Sequence, residues 1–188
     1  GAAIQVLTGI PAAWGVFQQP VMDEYGLSEQ GAGYAFGILI AAFGVGCVLG
    51  GFLQDSRGPR CAALWGTALL CGGFFAAAIL PGGSAGSFFL AFSIPAGLGT
   101  AFLYPSIQSC AQKWYAGRKG LATGVIGGAV GLSGAFLTVF VRTAVSGFGI
   151  VQGIRGAFWA LGAVTLPVCL AGSLLLQDPP QEIGRASC

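Results

Sequence analysis

The stretch Gly51-Phe52-Leu53-Gln54-Asp55-Ser56-Arg57-Gly58-Pro59-Arg60 separates two apolar runs, 31–53 before it and 61–80 after it. An apolar run of 18 or more residues spans a membrane, because ~20 residues at ~1.5 Å rise cross a hydrocarbon core of ~30 Å. The charged segment between the runs carries Gly58 and Pro59, which break a helix, so it reads as a turn between two spans. Once these two spans are accepted, every other apolar run must be counted the same way.

Four more runs qualify, giving an all-α polytopic membrane protein with helices expected at 1–21, 31–53, 61–80, 86–111, 120–141 and 155–176. The first is expected to end in Met22-Asp23-Glu24-Tyr25, the third in Pro81-Gly82-Gly83-Ser84, the fourth at Lys113-Trp114-Tyr115, the fifth near Arg142 and the sixth before Asp178-Pro179-Pro180. The chain opens at Gly1 inside an apolar run, as a truncated chain would. Composition agrees with this reading: 55% of the 188 residues are hydrophobic and 7% charged, against roughly 25% charged in a soluble domain. The mean hydropathy is +0.80.

Composition also excludes functions. A net charge of +2 without a basic run gives nucleic acid no phosphate-neutralising surface. The sequence has no His, the commonest general base and metal ligand. All six acids lie at loops or helix ends, so no carboxylate dyad or paired nucleophile sits within a span, and neither catalytic residues, a metal site nor a cofactor is expected. Cys47, Cys61, Cys71, Cys110, Cys169 and Cys188 contain no Cys-x-x-Cys pair and read as small hydrophobes.

Lys and Arg favour cytoplasmic loops. The connection after span two, the connection after span four and the tail hold Arg57, Arg60, Lys113, Arg118, Lys119 and Arg185, whereas the opposite side has Arg142 and Arg155. The first set is therefore expected to face the cytoplasm, with Asp23, Glu24 and Glu29 outside. Spans one to three and four to six read as related repeats. Gly33, Gly37, Gly46 and Gly50 in span two, and Gly120, Gly124 and Gly128 in span five, give small faces along which helices can approach; Pro11 and Pro105 are expected to interrupt spans one and four. Polar or aromatic groups at membrane depth include Gln5, Gln108 and Ser133, with Trp14, Tyr34 and Tyr104 as candidates for lining a substrate cavity.

The Gly51 to Arg60 stretch resembles the Gly-x-Leu-x-Asp-Arg-x-Gly-Arg-Arg signature of the major facilitator superfamily, with Gly51, Leu53, Asp55, Gly58 and Arg60 matching and Ser56 and Pro59 departing. Its Gly-Pro-Arg ending is similar to that of the oxalate/formate antiporter and monocarboxylate-transporter branch. So are Trp14-Gly15-Val16-Phe17 with Pro20 and Tyr25-Gly26-Leu27-Ser28, the junction running from Lys113-Trp114 through Arg118-Lys119-Gly120 to Gly124, and Asp178-Pro179-Pro180. The resemblance covers nearly the whole chain in order. It implies the N-terminal six-helix half of a transporter, a three-plus-three inverted repeat, whose partners would be membrane lipid, a C-terminal six-helix half and a small organic anion. It further implies alternating access, with Asp55 as a conformational latch that holds the outward-facing state by meeting the positive N-terminus of a helix in the C-terminal half, Arg57 and Arg60 being charge partners. A non-transporting sensor on the same fold is the alternative. Some monocarboxylate carriers have a Lys two residues before the Trp14 position; Ala12 stands there in this chain, so proton-coupled transport through that Lys is not expected.

Overall fold

A computed structural model of the chain describes residues 4–6, 9–80, 85–147 and 153–176. All of its regular elements are helical. The helices are α1 (Ile10–Tyr25), α2 (Glu29–Arg57), α3 (Pro59–Ile79), α4 (Gly86–Trp114), α5 (Lys119–Gly147) and α6 (Gly153–Leu175). All but α1 are long and apolar enough to cross a membrane, and α1, at 16 residues, is preceded by helical residues 4–6. The expected turns at Gly82 to Ser84 and Asp178 to Pro180, together with Arg185, Cys188 and the side chains of Ala12 and Arg142, lie outside what is described.

The helices overrun the boundaries expected from hydropathy because capping, rather than polarity, ends them. Helix α1 continues through Met22-Asp23-Glu24 to Tyr25 and stops where Gly26 turns left-handed (φ 63°, ψ 32°), its N–H and that of Leu27 both returning to the Met22 carbonyl. Ser28 caps α2, its Oγ accepting the Gly31 N–H at 3.1 Å. Helix α2 then runs through the charged stretch to Arg57. What was expected to be a loop is the last turn of a helix and one residue of connection. That residue is Gly58, at φ 84° and ψ 165°, a conformation closed to side-chain-bearing residues, and Pro59 starts α3 with its φ already helical.

Proline placement also departs from expectation. Pro105 lies inside α4 without ending it, and Pro11 sits in the first turn of α1, where a missing N–H costs nothing. The interruption in α4 belongs to Pro95. Since Pro95 cannot donate to the carbonyl four residues back, the preceding turn widens into a π-helix over Phe89–Ser93, with the Ile94 N–H reaching the Phe89 carbonyl.

Helix α4 is the centre of the bundle, packed parallel to α2 and antiparallel to α3, while α3 packs against α6 and α1 against α5. Exchanging α1 with α4, α2 with α5 and α3 with α6 turns this set of substantial helix pairs into itself. The α2–α4 pair becomes α5–α1, α3–α4 becomes α6–α1, α2–α3 becomes α5–α6, α1–α2 becomes α4–α5, and α3–α6 returns to itself. The two three-helix repeats are therefore related in the packing as well as in the sequence.

In lipid no hydrophobic force draws helices together, so close approach and dispersion contacts must do it. A Cβ added to Gly97 would lie 2.4 Å from the Leu39 carbonyl oxygen of α2, and one on Gly99 would lie 2.5 Å from the Leu70 nitrogen of α3. Gly46 and Gly50 meet Ala101 and Phe102 from the α2 side. Toward the end of the bundle that carries Glu24 and Glu29, rings take over. Phe88 and Phe92 of α4 are 5.1 Å apart, and Phe92 stands 5.0 Å from Phe158 of α6, 6.1 Å from Phe74 of α3 and 6.4 Å from Trp14 of α1. Gly97→Ala or Gly99→Ala should cost about 1–3 kcal/mol by overpacking against backbone. Gly72→Ala, whose new Cβ meets nothing within 4 Å, should leave stability unchanged. Thermal unfolding followed by a thiol-reactive or tryptophan signal in detergent separates the two classes, and equal midpoints for all three variants would contradict this packing.

Candidate functional site

The charged stretch at the end of α2 is built by the geometry of that last turn. Gly51 and Leu53 are half-buried, and Gln54 donates to the Ser109 hydroxyl of α4 at 2.8 Å, which fixes the end of α2 against the central helix. Ser56 turns inward to the Leu53 carbonyl at 3.2 Å, so the position that departs from the signature serves the local helix. Asp55 and Arg57 are exposed. Arg57 in the last turn complements the negative end of the α2 dipole, whereas Asp55 is placed against it.

The expected pairing of Asp55 with Arg57 and Arg60 does not form. Asp55 makes no ion pair within the described residues. Arg60 points elsewhere: its Nε donates to the Leu176 carbonyl and its Nη2 to the Leu174 carbonyl, both at 2.7 Å, so it closes the end of α6. Pro59 at the start of α3 directs the chain away from α2, and the guanidinium next to it therefore reaches the end of α6. Asp55 is left as a carboxylate on the surface of the helix end, without an ion-pair partner among the described residues.

The second expected motif lies at the same end of the bundle. Trp114 closes α4 and is 50% exposed, Ala116–Arg118 form one 3-10 turn, and Lys119 opens α5. Arg118, Lys119, Gly120 and Gly124 are all exposed, and Gln112 donates to Thr123 at 2.9 Å, tying α4 to α5. This end is basic. The other end carries Asp23, Glu24 and Glu29, and there Tyr25 donates its hydroxyl to the Ala77 carbonyl while Arg155 closes α3 and stands 4.0 Å from Glu24. In the sequence Tyr25, Glu24 and Arg155 mark only turns and topology. An Arg at the very start of an apolar run was the signal that one of them reaches across the bundle.

Trp14, Tyr34 and Tyr104 are not brought together. Trp14 is 6% exposed and stacked between Phe36 at 6.0 Å and Phe92 at 6.4 Å, inside the aromatic cluster. Tyr34 is 68% exposed near the start of α2. Tyr104 is half-buried with its ring 6.3 Å from Phe43, nine residues or roughly 13 Å along α2 from Tyr34. Of the polar residues expected at membrane depth, Gln5 is buried, Gln108 half-buried, and Ser133 of α5 donates to the Gly9 carbonyl at 3.2 Å.

Two helix faces carry small residues that no described residue covers. On α2 these are Gly33, Gly37 and Gly44, and on α5 they are Gly120, Gly124, Gly128 and Gly131; an added Cβ at any of them would meet nothing within 4 Å. The pairs expected from spacing in α2 thus divide, Gly46 and Gly50 packing on α4 while Gly33 and Gly37 face outward.

Comparison with known proteins places this geometry. The model of the Major Facilitator Superfamily matches residues 2–187. An uncharacterized 38 kDa protein in the 23S RNA operon of Thermoproteus tenax is 30% identical over 166 residues, 88% of this chain and 42% of that protein. The oxalate:formate antiporter of Oxalobacter formigenes is 22% identical over 94% of this chain and 41% of its own length, and monocarboxylate transporter 9 of Rattus norvegicus 28% identical over 89% and 32%. The chain therefore spans well under half the length of the curated relatives it matches. Its helical bundle, its paired three-helix repeats and a family match across almost every residue identify it as a multi-pass integral membrane protein that belongs to the Major Facilitator Superfamily.

Proposed function

We propose that this chain is the N-terminal six-helix half of a secondary transporter that moves small organic anions, mono- or dicarboxylates, by alternating access. The observation that carries this reading is the placement of Asp55. An exposed carboxylate at the negative end of its own helix, with no ion pair among the described residues, opposes that dipole by about 0.3–1 kcal/mol and is free to meet the positive N-terminus of another helix. The N-terminus of a helix in a C-terminal half supplies that partner, its free N–H groups facing the carboxylate when the halves close at this end.

The uncovered glycines of α2 and α5 support the same partner. Helices bare of side chains along one face pack closely in a membrane, and here the bare faces belong to the two helices that exchange places under the repeat symmetry. With the basic end in the cytoplasm, closure at Asp55 holds the outward-facing state. Trp14, Tyr34 and Tyr104 are proposed as contributors to the cavity wall at different depths rather than as one cluster. Substrate class is supported by the names of two relatives, an oxalate:formate antiporter and a monocarboxylate transporter, together with the resemblance of this chain's motifs to that branch.

Proteoliposomes containing the full-length parent should accumulate radiolabelled oxalate, formate or lactate saturably, with Asp55→Asn slowing uptake between about two- and thirtyfold, the range set by a helix-end carboxylate contact of roughly 0.3–2 kcal/mol. Unchanged turnover in Asp55→Asn would remove the latch; absence of saturable uptake by verified folded protein would remove the anion assignment and favour a sensor on this fold. Gly37→Leu and Gly124→Leu give a separate check. Both should leave the six-helix unit as stable as wild type and lower uptake by the full-length protein at least about tenfold, since bulk on those faces keeps a second half from docking. Normal uptake in both variants would show that the faces meet lipid instead.

A further inference from the structure

We infer that Arg60 and Arg155 are a matched pair of clamps that fuse α3 and α6 into one strut joining the two three-helix repeats. The inference goes beyond the transport reading and does not depend on the substrate.

A helix leaves its last carbonyls without intrahelical donors, and side chains, neighbouring segments or water must supply them. At the end of α3 every one of these carbonyls is accounted for. The Ala76 carbonyl accepts the Leu80 N–H and that of Ala77 accepts the Tyr25 hydroxyl. Arg155 supplies the rest, its Nε donating to Ala78 at 3.2 Å and its Nη2 to Ile79 at 3.1 Å and also to Leu80. At the end of α6, the Ser173 carbonyl accepts the Leu176 N–H at 3.3 Å, and Arg60 takes the carbonyls of Leu174 and Leu176.

Each arginine sits in the first turn of its own helix, where a cation opposes the dipole, so neither is explained by the helix that carries it. Each is explained by the helix it reaches. The helices run antiparallel, so the first turn of one lies beside the last turn of the other, and the repeat symmetry exchanges them; Arg60 and Arg155 make the same contact at opposite ends. The partners of Arg60 are 114 and 116 residues away and those of Arg155 are 75 to 77, so all five bonds join one repeat to the other. Between the clamps Thr67 and Ser173 share a hydrogen bond at 3.2 Å, and Phe74 stands 6.2 Å from Phe158. Glu24, beside Arg155, also draws the end of α1 into the clamp at the acidic end. A planar guanidinium fork presents several N–H groups to successive carbonyls, which a lysine ammonium on a flexible stem does not reproduce.

The test is amide hydrogen exchange of the full-length parent in lipid nanodiscs, read on peptides covering 76–80 and 172–176. Arg155→Gln should speed exchange at 76–80 by about tenfold or more and leave 172–176 at its wild-type rate, and Arg60→Gln should do the reverse, as expected when charge-assisted bonds to one helix end are lost. Arg155→Lys and Arg60→Lys should behave like the corresponding glutamine variants. Glu24→Gln, which keeps the guanidinium but frees it, should give a smaller rise confined to 76–80 and serves as the test if Arg155→Gln does not fold. Three results would overturn the inference: wild-type protection in the lysine variants, which would mean that charge near a helix end suffices; equal acceleration at both ends from one substitution, which would mean general loosening; or no change at all.

Discussion

The bundle depends on how closely α4 can approach α2 and α3. In a lipid environment the alternatives to helix–helix contact are as apolar as the contact itself, so the gain comes from dispersion at short range. Gly97 and Gly99, two residues apart on the central helix, face opposite neighbours and bring its backbone against that of α2 and of α3. With α4 fixed on both sides, the Phe88, Phe92 and Phe158 cluster and the hydrogen bond from Gln54 to Ser109 set the depth at which each helix stops. The α2 terminus, and with it Asp55, is then held by the central packing.

Much of this was legible in the sequence because membrane insertion is a coarse constraint. Runs of apolar residues separated by charge and Gly-Pro punctuation located the helices, and the doubled pattern of small residues announced the repeat. Boundaries were less legible, since hydropathy reports the hydrocarbon core and the helix reports its caps. Met22-Asp23-Glu24 and Asp55-Ser56-Arg57 are polar and helical at once, ended by Gly26 and Gly58 through backbone angles that hydropathy does not contain. Pro105 and Pro95 carry the same residue code with different outcomes, and only the π-turn before Pro95 shows which of them the helix had to accommodate.

The site was legible in part, and the division has a physical cause. A motif records which residues stand together along the chain, whereas a side chain's partner is chosen by the helices around it. Arg60 belongs to the same ten residues as Asp55, yet the glycine between α2 and α3 sends the two in different directions, one to α6 and one to the open surface. Trp14 reads as an aromatic at membrane depth, which fits a cavity wall and a packed core equally well until Phe36 and Phe92 are placed on its two sides. Contacts between residues 75 to 116 positions apart leave no periodic trace, so the clamps of α3 and α6 could not be read before the fold.

The two ends of the bundle differ in a way that follows from these placements. At the acidic end, Glu24, Tyr25 and Arg155 tie α1, α3 and α6 together, so the charge of Glu24 is met by Arg155. At the basic end Arg60 is committed to carbonyls, while Asp55, Arg57, Arg118 and Lys119 make no ion pair with one another. Charge settled inside a bundle stabilises that bundle in any state; charge left open at its rim acts only when a second surface approaches, and therefore discriminates between states in which that surface is near and states in which it is far. The same chain thus ties Glu24 into the bundle at one end and keeps the charges of the other end available.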